Sequence, residues 1–113
     1  MRTVKKAKLL RLHFGEADQY QGKPLYEAIV DRCRDLRIAG ATVFRGLEGY
    51  GETAEIHRHH MAKSDQPIIV TIVDTAESLE RLIPEIERMM DTGMIAASDV
   101  EYIRIERTPA ASS

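Results

Sequence analysis

The apolar and polar positions of this chain predict four β-strands. Four stretches combine alternation with β-branched or aromatic side chains, a combination that favours extended structure. They cover residues 4–14, 41–47, 68–73 and 100–107. In the last of them Ile103 and Ile105 fall on one face, whereas Tyr102 and Arg104 fall on the other.

Two further segments space their apolar residues three and four positions apart, as amphipathic helices do. The first is predicted to start at Pro24, where the missing N–H costs nothing, and to stop at Gly40. The second is predicted to start at a capping box over residues 74–77 and to stop at Gly93. Pro84 lies inside it and is predicted to kink the helix or to move its start. The two apolar stripes are Leu25, Ala28, Ile29, Cys33 and Leu36, and Leu79, Leu82, Ile83, Ile86, Met89 and Met90.

The order β-α-β-β-α-β predicts an α+β fold, the ferredoxin-like plait: a four-stranded antiparallel sheet with both helices on one face. The length of 113 residues predicts a single domain over residues 1–113, with an ordered core over about 4–107 and a flexible tail at 108–113. The face without helices mixes apolar and charged residues, which favours burial against other subunits over a monomer with scattered exposed residues. It is predicted to carry Leu9, Arg11, His13, either Phe44 or Arg45, Tyr102 and Arg104.

Composition and charge exclude several classes of function. The net charge of −2 gives no basic field for nucleic acid. No apolar run approaches the ~18–20 residues of a membrane span, and we read no signal peptide. The single Cys33 cannot form an internal disulfide, which suits the cytoplasm. No nucleophile motif is present, so nothing in the residues indicates an enzyme.

The densest local signal is a glycine-rich segment, with four glycines among residues 40–51. Glycines let the backbone approach a ligand, and successive free N–H groups can bind an anion. The alternative is that these glycines only shape a bulge and a tight turn. The segment leads into a polar stretch, residues 48–65, whose length is typical of functional loops. His57, His59 and His60 lie in that stretch and are candidate metal ligands, although a solvated polar loop explains them as well.

Several of these motifs resemble the uncharacterised PII-like signalling protein family, which is related in fold to the nitrogen regulatory PII and CutA proteins. The resemblance covers about residues 4–107. It is carried by Pro24-Leu25-Tyr26, Gly40-Ala41-Thr42-Val43-Phe44-Arg45-Gly46, Gly49-Tyr50-Gly51, Ile56-His57, Asp65-Gln66-Pro67 and Val73-Asp74. It implies a homotrimer without established enzymatic activity. It also implies an effector site between subunits and a loop, here residues 47–66, that contacts a protein target such as a membrane transporter.

The resemblance further implies where a nucleotide would bind. Gly49, Tyr50 and Gly51 would supply backbone donors, Thr42 would bind the base or ribose, and Arg45 and Arg104 would offset phosphate charge. Thr92-Gly93 resembles the Thr-Gly that PII proteins use after the second helix. The lysine-bearing phosphate loop and the metal-binding glutamine of PII are absent, which favours AMP or ADP over ATP with Mg²⁺. The alternative implied by CutA is a metal-binding protein that uses His57, His59 and His60.

Overall fold

The computed structural model describes residues 2–47 and 66–107. Within them the chain forms six strands and two helices, which we number in chain order. They are β1 (Val4–Gly15), β2 (Gln19–Tyr20), β3 (Lys23–Pro24), α1 (Leu25–Asp35), β4 (Ala41–Arg45), β5 (Pro67–Asp74), α2 (Ala76–Met89) and β6 (Met94–Ile103).

Strands β4, β5, β1 and β6 form one antiparallel sheet in that spatial order. The central strand β1 pairs along Lys8–Gly15 with β5 and along Val4–His13 with β6. The two strands at the sheet edges, β4 and β6, are therefore far apart in sequence and in space. This architecture confirms the predicted α+β plait.

The core lies between one face of the sheet and the two helices. Leu10, Leu12 and Phe14 alternate along β1 and are buried, as are their β5 partners Ile72, Val70 and Ile68. The apolar stripes of both helices close over them, each fully buried side chain contributing about 1.5–3 kcal/mol. The buried helical members of this core are Leu25, Ala28, Ile29, Cys33, Leu79, Leu82, Ile86 and Met89.

Helix α1 ends earlier than Gly40, and glycine does not end it. Arg37 adopts a left-handed φ of 58°. The N–H of Ile38 donates to the carbonyl of Cys33 at 2.9 Å, and the N–H of Arg37 donates to that of Arg34 at 3.1 Å. This pair of bonds is a Schellman motif, and Ile38 completes it by packing against the core. The helix thus stops at Asp35 because tertiary packing of Ile38 stabilises a left-handed arginine.

Helix α2 begins with Thr75 as its cap, one residue later than the predicted Asp74. The Thr75 side chain accepts from the backbone N–H of Ser78 at 3.2 Å. Asp74 instead accepts from the backbone N–H of Ala39 at 2.9 Å and so ties the segment before β4 to the start of the helix. Pro84 does not move the helix start, since the helix runs through it to Met89. Gly93 therefore lies beyond the helix end rather than forming it.

The prediction for the last strand was wrong at both ends. β6 starts at Met94, six residues before the predicted 100, and stops at Ile103 instead of 107. Its first half reads Met-Ile-Ala-Ala-Ser, which lacks the alternation of a strand and has Ile95 as its single β-branched residue. Pairing with β1, from His13 opposite Met94 onwards, extends this segment despite its weak propensity.

A small hairpin between β1 and α1, over residues 19–24, has no counterpart among the predicted elements. Strands β2 and β3 pair through a turn in which Gln21 and Gly22 both have positive φ, at 50° and 83°. Lys23 Nζ donates to Asp31 Oδ2 at 2.6 Å, and this ion pair lowers the pKa of Asp31. Two-residue strands are too short to show periodicity, which is why the pattern gave no sign of them.

No helix among the described residues is long and apolar enough to cross a bilayer.

Candidate functional site

Strand β4 places two of the sequence-predicted site residues on opposite faces of the sheet. Thr42 lies opposite Thr71, on the face without helices, and Arg45 lies opposite Ile68, on the helical face. Of the two residues predicted as alternatives for the uncovered face, Phe44 therefore lies on it and Arg45 does not. Arg45 is the last residue of the strand, and its side chain is largely exposed to solvent.

Arg45 makes an ion pair with Glu16, the residue that follows β1. The Arg45 side chain is 60% exposed, whereas that of Glu16 is only 19% exposed. Arg45 Nη2 donates to Glu16 Oε2. The pair therefore joins the ends of two strands that are separated in the sheet by β5.

Backbone hydrogen bonds hold together the strand ends that carry this ion pair. The N–H of Glu16 donates to the carbonyl of Gln66 at 2.8 Å, and the N–H of Gly46 donates to that of Pro67 at 2.7 Å. Gly46 packs so closely here that a Cβ would lie 2.8 Å from Pro67 Cγ. The described residues on both sides of 48–65 are thus held together at one end of the sheet.

The turn that carries Glu16 is held independently. The N–H of Asp18 donates to the carbonyl of Gly15 at 3.1 Å, and the Asp18 carboxylate accepts from the N–H of Gly15 at 3.3 Å. The carbonyl of Asp18 in turn accepts from the N–H of Leu25, at the start of α1, at 2.8 Å. Glu16 is therefore presented by a backbone that is anchored to the sheet and to the helix.

Thr92 and Gly93 form the turn between α2 and β6. Gly93 has φ of 131°, and a Cβ on it would lie 2.5 Å from the carbonyl oxygen of His13. Only glycine fits this position, because both the dihedral angle and the close backbone approach exclude a side chain. The turn is therefore sharply defined, and it brings Thr92 to the edge of the sheet.

The pairing register shows which of these residues share a region. Phe44, Ile69, His13 and Met94 form one row across the sheet, so Arg45 and Gly93 lie at the same end but at opposite edges. Three strand spacings separate the edges, about 14 Å. Arg104 follows the far end of the ten-residue β6, about 33 Å away along that strand. One subunit therefore brings Thr42 and Arg45 to one edge and Thr92 and Gly93 to the other, and it places Arg104 with neither.

The remaining predicted residues lie outside the described part of the chain. These are Gly49, Tyr50 and Gly51 of the candidate nucleotide site and the candidate metal ligands His57, His59 and His60. Among residues 2–47 and 66–107, no group of three or more His, Cys, Asp or Glu side chains is placed to hold a metal ion.

Cys33 lies away from this region, and its thiol is protonated and therefore unreactive at neutral pH. It is buried, and burial raises the pKa of its thiol to about 11. It borders a shallow cavity of about 180 Å³ between α1 and the start of β4, which is lined mostly by apolar groups. A neutral, buried thiol of this kind is a packing residue.

Glu16 is the site residue that sequence reasoning missed. Nothing in the local sequence distinguishes it from any other acid in a polar turn. Its relation to Arg45 depends on the register that places β5 between β1 and β4, and register is a tertiary property. The only signal in the sequence is its position directly after Gly15 at the predicted end of the first strand.

The face of the sheet opposite the helices, which we call the open face, mixes apolar with polar and charged side chains. Two of its apolar side chains are about half exposed, Phe44 at 53% and Met94 at 55%, and most of the others are intermediate. By register it includes Leu9, Arg11, His13, Thr42, Phe44, Ile69, Thr71, Val73, Met94, Ala96, Val100 and Tyr102. This confirms the predicted placement of Leu9, Arg11, His13 and Tyr102.

Solved structures share this fold. The nitrogen regulatory PII-like protein CPII from Thiomonas intermedia K12, bound to ADP, AMP and bicarbonate, matches with a TM-score of 0.64 and 17% identity over 88% of this chain and 98% of CPII. A putative PII-like signaling protein from Thermus thermophilus matches with a TM-score of 0.60 and 14% identity, over 88% of this chain and 91% of that one. The architecture is thus that of PII-like proteins.

Sequence comparison assigns the family. The model of DUF190, described as "Uncharacterized ACR, COG1993", matches residues 7–102. A UPF0166 protein of Aquifex aeolicus (strain VF5) is 41% identical over 105 residues, which cover 91% of this chain and 98% of the relative. The chain therefore belongs to the DUF190 (UPF0166) family, an uncharacterised family with the PII-like fold.

Proposed function

We propose that this chain is the subunit of a homotrimeric, non-enzymatic PII-like regulatory protein of the cytoplasm that binds AMP or ADP between its subunits. The observation that carries the proposal is the fold match to CPII, which was solved with ADP and AMP bound. In this proposal the nucleotide is an effector, and its binding changes how residues 47–66 contact a protein target such as a membrane transporter. The placement of the described residues supports three parts of the proposal: assembly, a site between subunits and an anionic ligand.

The open face supports assembly. An antiparallel sheet can leave one face to water, but that face is then polar. Here β5 presents Ile69 and Val73 on the open face, and the central strand presents Leu9 beside Val73. Burial of these side chains against other copies removes an apolar surface of a kind that soluble monomers rarely expose.

The separation of the candidate residues supports a site between subunits. Arg45 and Gly93 of one subunit lie about 14 Å apart, across four strands, so a single phosphate cannot contact both. When the β4 edge of one copy faces the β6 edge of another, Thr42 and Arg45 come from one subunit and Thr92 and Gly93 from its neighbour. Arg104 joins the same cleft only if a different subunit supplies it.

The chemistry of Arg45 supports an anionic ligand. It is a largely exposed guanidinium at the end of an edge strand, and a guanidinium pairs with phosphate through charge-assisted hydrogen bonds. The proposed contacts of Gly49, Tyr50 and Gly51 follow Arg45 along the chain and would add backbone donors. Thr42 would bind the base or the ribose.

Calorimetry with AMP, ADP and ATP on the full chain tests the proposal, with the molecular mass from light scattering measured on each sample. We expect a mass of about three chains and binding of AMP and ADP. Arg45→Ala should weaken ADP binding by about 1.5–3 kcal/mol, the range for hydrogen bonds to charged groups, and Gly51→Ala should weaken it as well.

The matched control is Arg81→Ala, which removes the same charge from an exposed position on α2. It should leave both affinity and mass unchanged. A monomeric wild-type protein, or one that binds none of the three nucleotides, would overturn the proposed function. Nucleotide binding that survives undiminished in both Arg45→Ala and Gly51→Ala would remove the site from this end of the sheet.

A further inference from the structure

Glu16 stands out because it is the more buried partner of the Arg45 ion pair. Its side chain is only 19% exposed, and its own N–H is bound to the carbonyl of Gln66. Arg45 is 60% exposed and ends an edge strand, so its guanidinium has room to move. A mostly buried carboxylate on an anchored backbone thus holds a largely exposed cation in the region of the proposed nucleotide site.

The atom that Glu16 engages decides what else Arg45 can bind. A guanidinium has two edges that offer paired donors, one formed by Nε and Nη2 and the other by Nη1 and Nη2. Glu16 accepts from Nη2, the nitrogen that both edges share. It therefore takes up one edge and places a negative charge beside the other. A phosphate cannot pair with Arg45 through two hydrogen bonds without displacing this carboxylate or lying next to it.

We propose that Glu16 is a built-in competitor for Arg45, which lowers the affinity of the site for phosphate groups and makes anion binding break the Arg45–Glu16 ion pair. The inference rests on the proposed function, because it takes Arg45 to be a nucleotide contact. It adds a residue that neither the family resemblance nor the sequence pattern assigns. Glu16 is a positioning residue: it acts on the ligand through Arg45.

The sign and size of the effect follow from the charges. Glu16→Gln removes the negative charge but keeps the shape and an amide oxygen that still accepts from Nη2. Exposed ion pairs are weak, so we expect ADP to bind about two- to fivefold more tightly to this variant. The gain should be smaller for AMP, which carries less charge, and should shrink as added salt screens the pair.

The experiment is a double-mutant cycle on the full chain. ADP is titrated calorimetrically at low and high salt into the wild type, Glu16→Gln, Arg45→Gln and the double variant. Glu16→Gln should strengthen binding in the wild-type background and have no effect in the Arg45→Gln background. The thermal midpoint of each variant serves as the check on folding, and it should change little because the guanidinium of the pair is largely exposed to solvent.

Glu85→Gln is the matched control. Glu85 also pairs with arginines, Arg32 and Arg88, but it lies in the middle of α2. It changes the net charge by the same amount and should leave ADP affinity unchanged. If Glu85→Gln strengthens binding as much as Glu16→Gln does, the effect is one of overall charge and the inference is wrong.

The other outcomes separate this inference from the function on which it rests. ADP binding that requires Arg45 but is unchanged by Glu16→Gln overturns the competition and leaves the proposed function intact. A Glu16→Gln gain that persists without Arg45 also overturns it, because the carboxylate would then act directly on the ligand. Failure of the wild type to bind AMP, ADP or ATP overturns both.

Discussion

The two faces of the sheet are formed by alternate residues of the same strands, yet one face is buried under the helices and the other is partly exposed. On the helical face Leu10 and Leu12 of β1 are fully buried, as are Val70 and Ile72 of β5. On the open face Leu9, a neighbour of Leu10 in the same strand, stays partly exposed. Both faces carry apolar side chains, but the two helices of the described residues cover only one of them. The difference teaches that one subunit buries only one of the two sheet faces that its strands create.

The largest expected effect is on the helical face. Leu12→Ala leaves a cavity in the tightest part of the core, since Leu12 is 0% exposed. It should lower the free energy of unfolding by about 2–5 kcal/mol. Urea denaturation followed by circular dichroism measures this. A loss below about 1 kcal/mol would mean that the two faces contribute alike to the stability of the subunit.

Leu9→Glu should have its main effect on assembly. Leu9 lies on the central strand of the open face, between Val73 and Ser98. A carboxylate there has to lose its hydration when subunits meet, so the trimer should dissociate while the circular dichroism of the subunit stays close to wild type. Light scattering gives the mass.

Ala76→Glu is the control for Leu9→Glu. It adds the same charge at an exposed position in the first turn of α2, where an acid is well tolerated. Its mass should equal that of the wild type. Equal masses for all three proteins would contradict burial of the open face between subunits.

A third prediction concerns Gly93, in the turn that leads into the edge strand β6. Gly93→Ala forces a Cβ to within 2.5 Å of the His13 carbonyl oxygen at a φ of 131°, and it should destabilise the fold by about 1–3 kcal/mol. Gly40→Ala is the matched control because nothing lies within 4 Å of its Cβ position, and its effect should stay within about 0.5 kcal/mol. Thermal melts compare the two. Equal shifts would argue that the turn before β6 can relax.

The smallest expected effect is a pH dependence of the helical layer. Burial raises the pKa of the Cys33 thiol from 9.0 to about 11, so the folded protein holds this proton more tightly than the unfolded chain. Its contribution to stability is fully present below pH 9 and is lost as the pH rises towards 11. The urea midpoint of the wild type should therefore fall more between about pH 8 and about pH 10.5 than that of Cys33→Ala. Parallel curves would contradict the raised pKa.

The candidate site was only partly predictable. The glycine-rich strand exit drew attention to the segment around Arg45, and the family resemblance proposed Arg45 and Thr92-Gly93 as site residues. The sequence did not identify Glu16 as the partner of Arg45, and it left open whether Phe44 or Arg45 faces the helices. Both depend on the register among β1, β5 and β4, which the pairing of remote residues decides.

The sequence by itself determined the order of the four sheet strands and the two helices, most of the buried core, and the mixed apolar and charged character of the face without helices, because each follows from side-chain periodicity within a few residues. The tertiary structure decided where elements end. Packing of Ile38 stops α1 at a left-handed Arg37, and pairing with β1 draws Met94–Ile103 into a strand that its own residues favour only weakly. Local propensities are worth fractions of a kcal/mol per residue, so a few long-range hydrogen bonds and one buried side chain are enough to override them.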